Sequence, residues 1–215
     1  MRRLASVCGA IACLSGVGAG RGAAQTAQPI SVQLSGLYEG LAGDAFDDVQ
    51  PGAGFEAQLR YTRGAWSVGL GYQTTRHDYR YCALPNSGGG PCLVSIAGQF
   101  SGSGIFFEPR YVLDAGSDVF APYVSGRVSV VRQKADGHPE YDFSVSGSSA
   151  NAGGGLLVRM SPRVNFDAGG TVGYTRFSRF RSVDRRTGAV LTGAEGGTSG
   201  SNFVLRVGVA IGIGG

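Results

Sequence analysis

The residues of this chain with evident chemical potential are two histidines, a small group of aspartates, a run of arginines and a pair of cysteines. His77 adjoins Asp78, and His138 follows Asp136 by two residues. A histidine beside a carboxylate is the beginning of a general base. No serine or further aspartate stands at a spacing that would complete a nucleophile, so both histidines read as solvated loop residues and no catalytic residue is assigned. Asp44, Asp47 and Asp48 could face a cation, but they lack the full series of a calcium loop and read as a solvated acidic loop. No metal or cofactor is expected. Gly69-Leu70-Gly71 and Gly153-Gly154-Gly155 would suit a phosphate cradle only before a helix. They lie in strand patterns instead, where glycine serves tight bends.

Arg176, Arg179, Arg181, Arg185 and Arg186 crowd into one segment in which Asp184 is the only acid. Guanidinium forks match phosphate oxygens well. The segment therefore reads either as a solvated loop or as a contact for lipopolysaccharide phosphates or an acidic loop.

The segment that directs the chain comes first. Arg2-Arg3 precedes a charge-free stretch from Leu4 to Gly20, and Gly22-Ala23-Ala24 follows. That is the layout of a signal peptide, with cleavage expected after Ala24. Residues 1–24 are then the signal and 25–215 the single mature domain. Cys8 and Cys13 leave with the signal, which keeps Cys82 and Cys92. In an exported chain, two cysteines flanking a turn-rich segment suggest a disulfide staple.

The chain has 215 residues, of which 38 are glycine and 16% are charged. Removing Arg2, Arg3 and Arg21 from the 19 basic residues leaves 16 against 15 acids, with Lys134 the only lysine. Such a balance gives no electrostatic case for nucleic acid.

Strict period-two alternation recurs through the mature chain, the signal of strands with two unlike faces. Eight strands are expected: Ile30–Leu41, Ala53–Thr62, Trp66–His77, Phe100–Leu113, Phe120–Arg132, Ser146–Met160, Val164–Thr175 and Ser201–Ile213. Short turns at Arg63–Ala65, Asp114–Asp118 and Ser161–Arg163 alternate with long loops near 42–52, 78–99, 133–145 and 176–200. Alternating short and long connections around an even number of strands describe a transmembrane β-barrel with both termini at the short-turn end. Tyr38, Tyr61, Trp66, Tyr72, Tyr111, Tyr174 and Phe203 fall near strand ends on the apolar face, where interfacial girdles sit.

A soluble carrier of lipocalin type would show the same alternation with the apolar face turned inward. The polar face favours the membrane. It carries small residues and a few charges: Glu39, Glu56, Arg60, Glu108, Arg110, Arg127, Arg159, Asp167 and Arg206. A water-facing surface would hold more lysine and glutamate. A narrow interior favours small residues and paired charges. These nine are expected to pair across the lumen and plug it, with Arg159 and Asp167 joined across their turn and Glu108 and Arg110 sharing one layer.

Gly104-Ile-Phe-Phe-Glu-Pro-Arg-Tyr111, Ala121-Pro-Tyr-Val-Ser-Gly-Arg127 and the closing strand Phe203–Ile213 resemble the small outer-membrane β-barrel family of Gram-negative bacteria, the porin-like and opacity-type eight-stranded proteins. The resemblance spans nearly the whole mature chain and departs at Ile213-Gly214-Gly215, where such chains usually end in an aromatic residue. It implies an all-β, eight-stranded antiparallel up-and-down transmembrane β-barrel. It also implies partners in outer-membrane lipid, including lipopolysaccharide, and in the outer-membrane assembly machinery. The expected role is a non-enzymatic envelope component with exposed loops. The alternatives are a rim-active lipid- or peptide-hydrolysing enzyme and a soluble periplasmic carrier.

Overall fold

The structure, a computed structural model, describes residues 28–43, 46, 49–84, 94–136, 140–194 and 199–214, with the side chains of 81–84, 94–96 and 136 also outside the description. The expected signal segment 1–24, His138 and the Asp44, Asp47 and Asp48 group lie outside the described residues. So does the expected Cys82–Cys92 bond, although the backbone places Cys82 opposite Ser95.

Nine strands are present among the described residues: β1 (Ile30–Ala42), β2 (Gly52–Arg63), β3 (Trp66–Leu84), β4 (Val94–Val112), β5 (Phe120–Asp136), β6 (Tyr141–Arg159), β7 (Val164–Asp184), β8 (Val190–Ala194) and β9 (Ser199–Ile213). Each pairs antiparallel with its neighbours, and the β1–β9, β9–β7 and β7–β6 ladders close the sheet into a ring. Eight strands form that ring. β8 pairs only with the far end of β7, continuing the position that β9 occupies lower down. Closure leaves no free edge in the ring, which satisfies the backbone within a membrane.

The short turns are built by local hydrogen bonds. Asp114 accepts from the Gly116 amide at 2.9 Å, and Ser161 accepts from the Arg163 and Val164 amides at 3.3 and 3.1 Å. Gly64, between β2 and β3, has φ 60°, a left-handed conformation suited to a tight hairpin.

Alternation sorts side chains by face. Leu34, Leu59, Leu70, Ile105, Val128, Val172 and Val207 stand exposed on the outside, while Gln33, Gln58, Glu108, Arg127, Asp167 and Arg206 are buried inside. A lipocalin arrangement would reverse these faces. Leu70 is 61% exposed and Val130 69%, a surface that lipid rather than water can cover. Aromatic pairs mark both ends of the apolar band: Trp66 packs edge-on to Tyr111 at 4.9 Å, and Tyr38 lies 6.2 Å from Phe203.

The strands run further than the alternation indicates. Segments expected as the loops 78–99, 133–145 and 176–200 are partly strand: β3 reaches Leu84, β4 begins at Val94, β5 reaches Asp136, β6 begins at Tyr141 and β7 reaches Asp184. In these extensions the outward face turns polar, as at Asp78, Arg80, Lys134, Asp142, Arg179 and Arg181, so the outward apolar series that marks the mid-barrel strands stops while the backbone ladders run on. His77 is corrected with them. It is a β3 residue, 1% exposed and facing inward, rather than a solvated loop residue.

Candidate functional site

The interior at mid-barrel is filled by charge. Glu108 on β4 is fully buried and meets four guanidinium groups from four strands. Arg60 Nη2 lies 3.1 Å and Arg110 Nε 2.5 Å from Glu108 Oε1. Arg127 Nη2 at 2.5 Å and Arg206 Nη1 at 2.6 Å meet Oε2. Asp167 on β7 is equally buried. Its Oδ1 accepts from the Tyr123 hydroxyl at 2.7 Å, and its Oδ2 accepts from Gln33 at 2.7 Å and from Arg110 Nη1 at 2.8 Å. Arg127 Nη1 also reaches Glu56 Oε2 at 2.8 Å and donates to Gln73 at 2.9 Å. Arg60 donates to Gln58 at 2.8 Å and Ser67 at 2.9 Å.

Each arginine is thus held by several bonds at fixed angles, the arrangement that suits a planar fork in a confined space. Aromatic faces complete the packing. The Arg110 guanidinium lies 4.4 Å from the centre of the Tyr123 ring, and that of Arg127 lies 3.9 Å from the centre of Phe106. Glycine makes room for this: Gly155 and Gly169 are register partners, and a Cβ on either would strike the Tyr123 hydroxyl. The glycine-rich stretch of β6 therefore lets a phenol lie across it.

Apolar residues stand at both ends of the lumen. Val112, Ala121, Tyr123 and Leu157 cluster toward the short turns. At the other end Phe46 packs edge-on to Phe177 at 6.1 Å, and His77 stacks on Phe100 at 4.8 Å. Two small hollows lie inside the barrel among the described residues. One of about 30 Å³ lies beyond the ion cluster among Glu39, Gln73, Thr75, Ser149, Thr175 and Asn202. One of about 20 Å³ lies on the short-turn side among Ser31, Arg60, Arg110, Leu157 and Asn165. Each has room for only one or two waters.

Of the nine interior charges named from sequence, the structure brings seven into one cluster: Glu56, Arg60, Glu108, Arg110, Arg127, Asp167 and Arg206. Glu39 sits apart, accepting from the Thr75 hydroxyl at 2.8 Å and lying 3.5 Å from His77 Nε2. Arg159 is half-buried near the end of β6, opposite Asn165. The bonds of Asp167 described above cross the lumen to Arg110, Tyr123 and Gln33 rather than joining Arg159 across the turn. Sequence reading did not single out Tyr123 or the glutamines Gln33, Gln58 and Gln73. Their only signal was inward parity on the polar face.

The arginine-rich segment is only partly loop. Arg176, Arg179 and Arg181 lie on β7, while Arg185 and Arg186 lie beyond it, and all five are exposed. Arg185 donates to Asp142 at 2.7 Å. Asp184 accepts from the Arg186 and Thr187 amides, each at 2.8 Å, and closes the tip of the β7–β8 hairpin.

No protein-family model and no curated protein matches the sequence. Solved structures do resemble its fold. Neisserial surface protein A aligns with TM-score 0.56 and 16% identity, over 86% of this chain and 97% of that one. OprG of Pseudomonas aeruginosa aligns with TM-score 0.53 and 10% identity, over 88% and 97%. A major outer membrane protein of Thermus thermophilus aligns with TM-score 0.51 and 14% identity, over 85% and 98%. The fold is that of the small outer-membrane β-barrels. Together with the outward apolar band, it makes this chain a bacterial outer-membrane barrel protein.

Proposed function

We propose that this protein is a closed, non-enzymatic barrel of the outer membrane, an envelope component whose lumen is plugged and whose working surface lies outside. The observation that carries this reading is the cluster around Glu108, where four guanidinium groups from β2, β4, β5 and β9 converge on one buried carboxylate. Side chains nearly fill an eight-stranded interior, and ionic bonds among them make that filling rigid.

The hydrolase alternative would draw on Thr75, His77 and Glu39, since His77 Nε2 lies 3.1 Å from Thr75 Oγ1. The Thr75 hydroxyl is also bonded to Glu39, however, and its hollow of about 30 Å³ is far too small for a lipid or a peptide. Geometry and space favour a structural hydrogen-bond chain. Export by a signal ending at Ala24 and closure of the Cys82–Cys92 segment by a disulfide belong to the same reading, and the masses of the mature N-terminus and of nonreduced peptides test them.

The plug is tested in planar bilayers with the refolded full-length mature chain. The expected record shows no large, steady conductance. A stable porin-sized channel from the folded monomer overturns the plug and moves the reading to transport.

A further inference from the structure

The bulge on β7 assembles a cationic surface that strict alternation would not produce. Gly147 pairs with Phe177 and the next residue, Ser146, pairs with Arg179, so Ser178 is an extra residue in β7. Below the bulge Thr175 and Phe177 face inward and Arg176 faces outward. Uninterrupted alternation would send Arg179 and Arg181 into the lumen beside Phe177. The extra residue reverses the parity, and Arg179 and Arg181 join Arg176 on the outer face.

The ladders then carry this charge across neighbouring strands. One outward row reads Arg76, Ser101, Lys134, Ser144, Arg181 across β3 to β7. The adjacent row reads Ser103, Arg132, Ser146, Arg179 across β4 to β7. Hydroxyls separate the cations on β5 from those on β7, which places them about 10 Å apart at ordinary strand spacing. Arg132 Nη2 donates to Ser144 at 3.2 Å, which lays that side chain across the gap.

The height of the surface defines its solvent. On β5 the outward series passes from Val130 to Arg132 and Lys134, and on β7 from Tyr174 to Arg176 and then to Arg179 and Arg181. The cations therefore begin where the apolar band ends, at the long-loop rim. Among the described side chains these rows hold no carboxylate, and none of Arg132, Lys134, Arg176, Arg179 and Arg181 forms an ion pair. Two described acids lie further out on this face: Asp78 accepts from Gln99 at 2.8 Å, and Asp142 accepts from Arg185 at 2.7 Å with Lys134 adding a weaker attraction.

We propose that this outer face of β5–β7 docks the phosphate groups of the outer-leaflet glycolipid, lipid A, with the exposed arginine and lysine side chains holding the phosphates while the apolar band below takes the acyl chains. Charge-assisted bonds from arginine to phosphate supply the recognition. The assignment excludes Arg185, which Asp142 already holds. It adds Arg132 and Lys134, which lie far from the arginine run in sequence.

The test uses the refolded mature chain in neutral detergent micelles, with bisphosphorylated lipid A as the probe. The wild type is expected to bind it at least tenfold more tightly than the dephosphorylated form. Replacing Lys134, Arg179 and Arg181 together with serine should cost tenfold or more in affinity, and Arg181→Ser alone a smaller share. Arg185→Ser should leave binding unchanged, and inorganic phosphate at millimolar concentration should fail to compete. A heat-modifiability gel on each variant shows that the barrel is intact. Equal binding of the two lipids, an unaltered triple variant, or an Arg185→Ser loss as large as the triple variant's would overturn the site. Full displacement by inorganic phosphate would overturn the lipid as its ligand.

Discussion

Arginine does opposite work in two regions of this barrel. Arg60, Arg110, Arg127 and Arg206 are buried at mid-height and converge on Glu108. Arg176, Arg179 and Arg181 stand exposed at the rim, with no described carboxylate paired to them. The inner set has its counter-charge built into the chain, so its energy goes into holding strands together. The outer set is left for a counter-charge from outside. Parity on the strand, rather than residue type, decides which role an arginine takes, and at β7 a single extra residue sets that parity.

The strongest way to break the comparison is to remove the inner counter-charge. Glu108→Gln leaves four buried guanidinium groups facing one another with Glu56 and Asp167 as the remaining carboxylates. Breaking a buried ion pair from one side costs about 3–5 kcal/mol. Urea unfolding of the vesicle-inserted protein should show a loss of that size. Adding Arg110→Gln should recover part of it, since a stranded charge is worse than an absent one. If the double variant is less stable than the single one, the cluster is not held together by charge balance.

A smaller effect is expected on the face between the two regions. Leu70 stands exposed on the outer side of β3, within the apolar band. Leu70→Arg puts a cation on the lipid face well below the rim, at a cost of about 2–4 kcal/mol if the site is near the bilayer midplane. The same unfolding assay reads it. A neutral result would mean that this face meets water or protein instead of lipid, and would weaken the membrane frame in which the rim cations are placed.

These regions were unequally legible in the sequence. The mid-barrel strands show because their two faces differ: Val68, Leu70 and Tyr72 alternate with Ser67, Gly69 and Gly71. Inward parity likewise picks out Glu108, Arg110 and Arg206 as interior charges. It cannot say which pairs form, because partners from β2, β4, β5 and β9 meet only after the ring has closed with its stagger. That is why Arg159 looked like the mate of Asp167 while Arg110, Tyr123 and Gln33 take that place. Beyond Arg76 the outward positions of β3 hold Asp78 and Arg80, so the outward apolar series that marks this strand ends before the strand does. The bulge at Ser178 leaves no periodic trace, since a register shift is a property of two strands.

The smallest expected effect lies at the rim, where pH separates an exposed hairpin tip from the buried cluster. Asp184 is held below the usual carboxylate range chiefly by the Thr187 backbone amide, with the Arg186 amide adding to it. Asp142 is lowered chiefly by its bond from Arg185, with further attraction from Arg185 and Lys134. A carboxylate whose pKa is lower in the folded state stabilises that state above its unfolded pKa. The contribution is lost as pH falls through the folded value. Acidification below the ordinary range of aspartate should therefore loosen the 184–189 turn while the ladders of the ring persist. The loss is small because both groups are solvated and screened. Amide hydrogen exchange at Arg186 and Thr187, corrected for the intrinsic pH dependence, is the measurement. Protection there should fall as the solution is acidified, and in Asp184→Asn the dependence should flatten, since an amide oxygen still accepts both bonds and no longer titrates. A profile in Asp184→Asn as steep as the wild type would show that another acid governs the tip.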